Sequence, residues 1–172
     1  GGLQRQRLLR ALGAEVVGAP GSGGKAGRMA RAEEPLKEIP QLVMMRQFEN
    51  SANLAVHRAT TAEEIWRDTD GAVDVFVAGV GTGGTLTGVA QGLKAHNPAV
   101  VAVAVEPASS PVPPGGGPGA HRLQGIGHRL GPGLYRGTVV ERVMTLSGVV
   151  ARRLGRDAVR LRELVACLVS RC

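Results

Sequence analysis

The sequence is poor in aromatic residues: its 172 positions hold two phenylalanines, one tryptophan and one tyrosine. Proteins that bind single-stranded nucleic acid need aromatic side chains, on which bases stack, beside a basic groove. The net charge of +7 provides only the basic part, and no nucleic-acid binding motif accompanies it. The composition therefore argues against nucleic acid as a partner, and we interpret the arginine-rich stretch after residue 150 as a solvated helix face.

Cysteine and long hydrophobic runs are also scarce. Cys167 and Cys172 cannot form a disulfide framework or a four-ligand zinc site. This usage predicts a reducing compartment, either the cytoplasm or the matrix of a plastid or mitochondrion. No apolar run approaches the roughly 18 residues of a membrane-spanning helix, so no membrane association is predicted.

The histidines give no sign of a metal centre, because none has partners at metal-ligand spacing. We therefore predict no metal site and no catalytic role for any of the four. They are His57, His96, His121 and His128.

The order of apolar periodicity and breakers predicts an α/β protein with a parallel twisted sheet and flanking helices. The strand over 73–80 is β-branched and nearly all apolar, so we expect it to be covered on both faces. Residues 51–66 are predicted as one helix or as two short ones. The remaining predicted helices cover 3–12, 25–37, 86–96 and the basic tail, and the remaining strands cover 14–17, 42–45, 100–105 and 139–146.

A glycine-rich loop, Gly81–Thr85, joins the strand over 73–80 to the following helix. Glycines let successive backbone N–H groups converge, and a helix N-terminus adds unpaired donors and the positive end of its dipole. The hydroxyls of Thr82 and Thr85 are further donors. The pattern therefore predicts a phosphate-binding loop, with a tight turn that needs glycine only for its backbone angles as the alternative.

The loop by itself fits a second kind of site. Gly79, Gly81 and Gly84 satisfy the G-x-G-x-x-G pattern of dinucleotide-binding domains. Glu106 stands at the end of the next predicted strand, where such domains carry an acid that binds ribose. From these residues alone, an NAD-binding Rossmann domain stays an open alternative.

Five motifs occur together in one order: QFENSAN from residue 47, HRATTAEEIW from 57, VAGVGTGGT from 77, VEP from 105 and PGAHRLQGIG from 118. In this order and at this spacing they closely resemble cysteine synthase (O-acetylserine sulfhydrylase), a fold type II pyridoxal-phosphate enzyme. The resemblance covers about residues 3–147. Cystathionine β-synthase is a near neighbour, but the motif over 47–50 and the Gly-Pro-Gly-Ala-His stretch are more similar to the sulfhydrylase.

The resemblance implies a function and a set of site residues. The family replaces the acetate of O-acetylserine by sulfide to give L-cysteine, with pyridoxal 5'-phosphate as cofactor. By this similarity Gln47 lies near the substrate carboxylate, and Gly125 and Gly127 form a turn at the mouth of the active site. The residues implied to hold the cofactor phosphate are Gly81, Thr82, Gly83, Gly84 and Thr85.

The sequence also departs from the family. Its Schiff-base lysine and its Ser/Thr-Asn substrate loop precede the point where this chain begins, and its serine that faces the pyridine nitrogen has no counterpart in the tail after Leu154. Lys25, Lys37 and Lys94 stand in other contexts. We therefore assign no catalytic residue, interpret the chain as an incomplete fragment, and expect it to be inactive as given.

The resemblance further implies a domain organisation and partners. Residues 1–45 are expected to be the remainder of a smaller N-terminal domain, 46–150 part of the larger phosphate-binding domain, and 151–172 a divergent basic helical tail. The full-length protein is expected to be a homodimer that can bind the C-terminal peptide of serine acetyltransferase. A non-catalytic family member that only binds this peptide is the second alternative.

Overall fold

The structure, a computed structural model, describes residues 3–18, 24–110, 123, 125–127 and 134–160. Contacts divide the chain into two compact units, Gly1–Met45 and Arg46–Cys172. The predicted limits of the three segments stay a prediction. Among the described residues, no helix combines the length and the apolar character that crossing a membrane requires.

The first unit holds two helices, α1 over Leu3–Ala11 and α2 over Gly24–Glu38, close to the predicted bounds. Gly13 has a positive φ of 88°. Its N–H donates to the carbonyl of Arg10 at 3.0 Å, which closes α1 as a glycine C-cap does.

The strands predicted over 14–17 and 42–45 are wrong, because both segments are irregular. A strand persists only when a neighbouring strand accepts its hydrogen bonds. The described part of the first unit contains no such neighbour. Val43 accordingly stays 77% exposed.

One continuous helical segment begins the second unit. It consists of α3 over Ser51–Val56, a π-helical turn over His57–Thr61 and α4 over Ala62–Asp68. Asn50 caps α3 by accepting the Ala52 N–H at 3.0 Å on its side-chain oxygen. The segment is therefore neither one regular helix nor two separate ones, since the π-turn joins its two halves without a break.

Three parallel strands form the sheet of the second unit in the order β1-β2-β3. They are β1 over Val75–Gly79, β2 over Val101–Pro107 and β3 over Arg142–Leu146, with α5 over Gly84–His96 between the first two and α6 over Gly148–Arg160 after the third. The predicted sheet is confirmed. The third strand starts later than predicted because a short 3₁₀ turn occupies Gly137–Val139.

The core lies between one face of the sheet and the helices. α5 contributes fully buried side chains, among them Leu86, Val89 and Leu93. Two glycines let α5 approach the preceding helical segment closely. A Cβ on Gly92 would collide with the Cβ of Ala62, and one on Gly88 would lie 2.5 Å from the Leu54 carbonyl oxygen.

The expectation that β1 is covered on both faces is wrong. Val75 and Val77 are 53% and 57% exposed, whereas Phe76 between them packs into the core. The reason is that the described α5 lies against the Phe76 side of the sheet only. Met144 of β3 is likewise 58% exposed.

Glu141 joins α5 to the sheet at the start of β3. One of its carboxylate oxygens accepts from the Lys94 ammonium at 2.6 Å and the other from the Ala102 N–H at 2.7 Å. The hydrogen bond from Lys94 and then the one from Ala102 lower the pKa of the Glu141 carboxyl below its ordinary value. The ionised form is therefore the one that stabilises the fold.

We expect Glu141→Gln to lower the free energy of unfolding by about 1 kcal/mol at neutral pH, because the ion pair with Lys94 is lost. The loss is no larger because solvent screens the partly exposed pair. A carboxyl with a lowered pKa stabilises the fold above its unfolded pKa of about 4.3, and this contribution is lost as pH falls through the folded pKa. Urea unfolding of both proteins at pH 7 and pH 3 measures it. A difference that is as large at pH 3 as at pH 7 would contradict the assignment.

Candidate functional site

The glycine loop lies where β1 passes into α5. The last residue before it, Val80, is fully buried and donates its N–H to the Val105 carbonyl at 3.1 Å. Gly83 is the N-cap of α5 and has a φ of 86°, in the left-handed region that favours glycine. A Cβ there would lie 3.0 Å from the Tyr135 backbone nitrogen.

Several backbone donors of the loop have no acceptor in the part of the chain that the structure describes. No described residue accepts from the N–H of Gly81, Thr82, Gly83 or Thr85. The Gly84 N–H donates to the Thr82 hydroxyl oxygen at 3.2 Å. Free N–H groups at the N-terminus of a long helix, where the dipole is positive, form an anion site, and a phosphate group fits such a donor set.

The predicted turn at Gly125 and Gly127 lies directly against the loop. The Gly125 carbonyl occupies the space that a Cβ on Gly81 would need. The Gly127 N–H donates to the Val80 carbonyl, and the Gly127 carbonyl accepts from the buried Ser110 hydroxyl, both at 3.0 Å. Both turn glycines have positive φ, 82° and 70°, so their identity follows from backbone geometry.

Gln47 is linked to the loop through Asn53. Its backbone carbonyl accepts from the Asn53 side-chain amide at 2.8 Å, and the same amide donates to the Thr82 hydroxyl at 3.0 Å. The Gln47 side chain itself is exposed. The structure thus brings Gln47, the glycine loop and the glycine turn together, although the role of each residue stays a prediction.

Two neighbours of the loop were not among the predicted site residues. Asn53 is one. The other is His57, whose Nε2 lies 3.1 Å from the Thr85 hydroxyl and whose Nδ1 lies 2.9 Å from the Thr61 hydroxyl. The spacing of His57 and Thr61 on one helix face was the available signal. The contact with Thr85 depends on the fold.

A buried acid is the last residue but one of β2. Glu106 is 1% exposed. Burial, and then the charge of Glu106, raise the pKa of Tyr135 above its ordinary value. A side chain so completely covered is not placed to bind the ribose of a nucleotide from solvent.

A separate open groove of about 450 Å³ runs between the helical segment over 51–68 and α5. His96 borders it, with its Nε2 at 2.9 Å from a Glu63 oxygen and its ring stacked on Trp66 at 4.8 Å between centroids. Trp66 is thus a packing residue. In the described part of the chain, no cluster of three potential metal ligands is found, and His121 and His128 lie outside it.

Comparisons with known proteins identify a family. A family model described as "Pyridoxal-phosphate dependent enzyme" matches residues 3–164. A cysteine synthase of Haemophilus influenzae is 44% identical over 164 residues, which cover 88% of this chain and 52% of that protein. The chain therefore spans about half the length of the curated relatives it matches.

Solved structures of similar fold come from the same family of enzymes. An O-acetyl serine sulfhydrylase, isoform 3, from Entamoeba histolytica matches with a TM-score of 0.90 and 37% identity over 99% of this chain and 50% of that one. An O-acetylserine dependent cystathionine beta-synthase from Helicobacter pylori matches with a TM-score of 0.85 and 33% identity over 98% and 55%. The predicted fold type is confirmed. Neither the nicotinamide alternative nor the purely peptide-binding one is supported.

Proposed function

Because the chain belongs to the family of pyridoxal-phosphate dependent enzymes, we propose that its second unit supplies the cofactor-phosphate site of a cysteine synthase. The proposed reaction replaces the acetate of O-acetylserine by sulfide and yields L-cysteine. The single observation that carries the proposal is the loop Gly81–Thr85 at the N-terminus of α5, in which four backbone N–H groups have no acceptor among the described residues.

The residues of the loop fit the phosphate of pyridoxal 5'-phosphate. The N–H groups of Gly81, Gly83 and Thr85 are donors for its oxygens. The Thr82 oxygen already accepts from Asn53 and Gly84, so its own proton is available to an anion. The Thr85 hydroxyl can donate outward in the tautomer in which His57 Nε2, 3.1 Å away, carries the hydrogen and donates to its oxygen. Bound there, the cofactor supplies an electron sink for the amino-acid substrate.

The substrate side of the proposed site is built by Gln47, Gly125 and Gly127. A glutamine amide donates N–H groups, which suit the carboxylate of O-acetylserine. The exposed Gln47 side chain is free to turn toward it, while the Asn53 amide holds the Gln47 backbone. The glycine turn has no side chains, so its backbone can approach a small substrate closely.

Lys94 is not placed to hold the cofactor covalently. It lies ten residues after Gly84 on α5, about 15 Å along the helix axis. Its ammonium donates to the Glu141 carboxylate and to the Val100 carbonyl.

We therefore expect the 172-residue chain to form no cysteine above background from O-acetylserine and sulfide in the presence of pyridoxal phosphate. Cysteine formation measured by an acid-ninhydrin assay would contradict this.

Calorimetric titration of the 172-residue chain with three ligands tests the phosphate site. We expect pyridoxal 5'-phosphate and inorganic phosphate to compete for one site, and pyridoxal, which lacks the phosphate, not to bind it. Gly137→Ala is the control for glycine substitutions in this unit and should bind pyridoxal 5'-phosphate with unaltered affinity, because a Cβ there meets only the Tyr135 ring at an ordinary 3.7 Å. Equal affinity for pyridoxal and its phosphate would overturn the proposal.

The partners follow from the same family resemblance. We propose that the full-length protein is a homodimer of the cytoplasm or of an organellar matrix and that it can bind the C-terminal peptide of serine acetyltransferase. Sedimentation of the full-length protein, and its titration with that peptide in competition with O-acetylserine, test these proposals. Binding of the peptide without any competition would contradict a shared site.

A further inference from the structure

We propose that Asn53 is a positioning residue that couples the segment over 46–50 to the phosphate loop, so that an anion bound at the loop orders the backbone around Gln47. This inference rests on the proposed function for its ligand and on the hydrogen bonds of Asn53 for its mechanism. Asn53 contacts the two segments with one and the same amide group.

Both hydrogens of the Asn53 amide nitrogen are used. One is donated to the Gln47 carbonyl at 2.8 Å and the other to the Thr82 hydroxyl oxygen at 3.0 Å. The amide oxygen lies against Gly84, in the space that a Cβ on that glycine would occupy. The Asn53 backbone N–H donates to the Asn50 carbonyl at 3.0 Å. The side chain is therefore fixed at its base and at both donors.

The Asn53 side chain couples the two segments through the Thr82 hydroxyl. The Thr82 oxygen accepts from both Asn53 and the Gly84 N–H, so the Thr82 proton points to a further acceptor. An anion that accepts a hydrogen bond from the Thr82 hydroxyl fixes the orientation of that hydroxyl. The fixed orientation strengthens the hydrogen bond that the Thr82 oxygen accepts from Asn53. Asn53 in turn holds the Gln47 carbonyl. Binding of the anion is thereby felt in the substrate segment.

Asparagine is the side chain that the position requires. The gap between Gln47 and Thr82 needs two donors on one short side chain. Aspartate has the same size but no donor when ionised, and alanine has neither donor nor reach. The segment over 46–50 also has local turn bonds, from the N–H groups of Glu49 and Asn50 to the Arg46 carbonyl at 2.8 Å, whose exchange rates report on its order.

Hydrogen exchange followed by mass spectrometry tests the coupling in the 172-residue chain, with pyridoxal 5'-phosphate and inorganic phosphate as probes. In the unmodified chain we expect either probe to slow exchange in both 81–85 and 46–50. In Asn53→Ala we expect slowing in 81–85 alone, and an affinity for phosphate that is lower by about threefold to tenfold, as for one neutral hydrogen bond. Slowing of 46–50 that persists in Asn53→Ala overturns the inference.

Two further proteins separate coupling from loss of folding. Asn97→Ala is the matched control, because this asparagine accepts the Ala99 N–H at 3.0 Å beyond the other end of α5. It should leave both segments unchanged. Asn53→Asp keeps the size of the side chain and should raise the exchange rate of both segments without ligand, as Asn53→Ala does.

The ligand-free comparison distinguishes failure of the inference from failure of the proposed function. If neither probe binds the unmodified chain, the phosphate site is refuted, while faster exchange of both segments in the two Asn53 variants still supports the link. If the probes bind but neither variant changes the exchange of 46–50, the link is refuted and the phosphate site stands.

Discussion

Gly81→Ala is expected to weaken the binding of pyridoxal 5'-phosphate by about 100-fold or more. The new Cβ would collide with the Gly125 carbonyl oxygen, so either the loop or the glycine turn must move. A shift of the loop misaligns at least two N–H groups on the phosphate, and hydrogen bonds to a charged group contribute about 1.5–3 kcal/mol each. Titration calorimetry at fixed ionic strength measures the change.

The expected loss is local, and two observations make it separable from unfolding. Far-UV circular dichroism of Gly81→Ala should stay unchanged, because the glycine lies outside β1 and α5. The Gly137→Ala control should bind with unaltered affinity. Binding of Gly81→Ala within threefold of the unmodified chain would show that the N–H groups of the loop do not hold the phosphate.

Gly92→Val is expected to lower the free energy of unfolding by about 3 kcal/mol, a large part of the 5–15 kcal/mol that a typical domain has. A Cβ on Gly92 already collides with that of Ala62, which is fully buried. A branched side chain must push α5 away from the helical segment over 51–68. Urea unfolding followed by circular dichroism measures the loss.

Ala95→Val is the matched control for this prediction. Ala95 lies on the same helix, lines the open groove and is exposed. Its replacement adds a branched side chain without a collision in the core, so it should cost about 0.5 kcal/mol through helix propensity alone. Equal losses in the two variants would show that the contact between Gly92 and Ala62 does not set the helix spacing.

The sheet of the second unit was predictable because its local signals and its fold agree. The apolar run over 73–80, the glycine loop and the helix that follows form one β-α-β unit with the second apolar strand. The strands expected over 14–17 and 42–45 failed for the opposite reason. Their composition is typical of strands, but strand formation depends on a pairing partner that composition does not reveal.

The site was predictable only as far as its motifs reach. The order of the motifs brought Gln47, the loop over 81–85 and the turn at Gly125 into one hypothesis, and the structure places them side by side. Asn53 was missed because its contact with Thr82 joins residues far apart in the sequence. The π-turn was missed because no composition signal distinguishes it from a regular helix.

The stack of Trp66 on His96 decides what intrinsic fluorescence can report. Trp66 is the only tryptophan of the chain, and His96 ends α5, about 18 Å along the axis from the residue that starts it. The tryptophan emission therefore follows the packing of α4 against the far end of α5. A ligand bound at the glycine loop that changes it without spectral overlap therefore acts through α5 rather than by touching the indole.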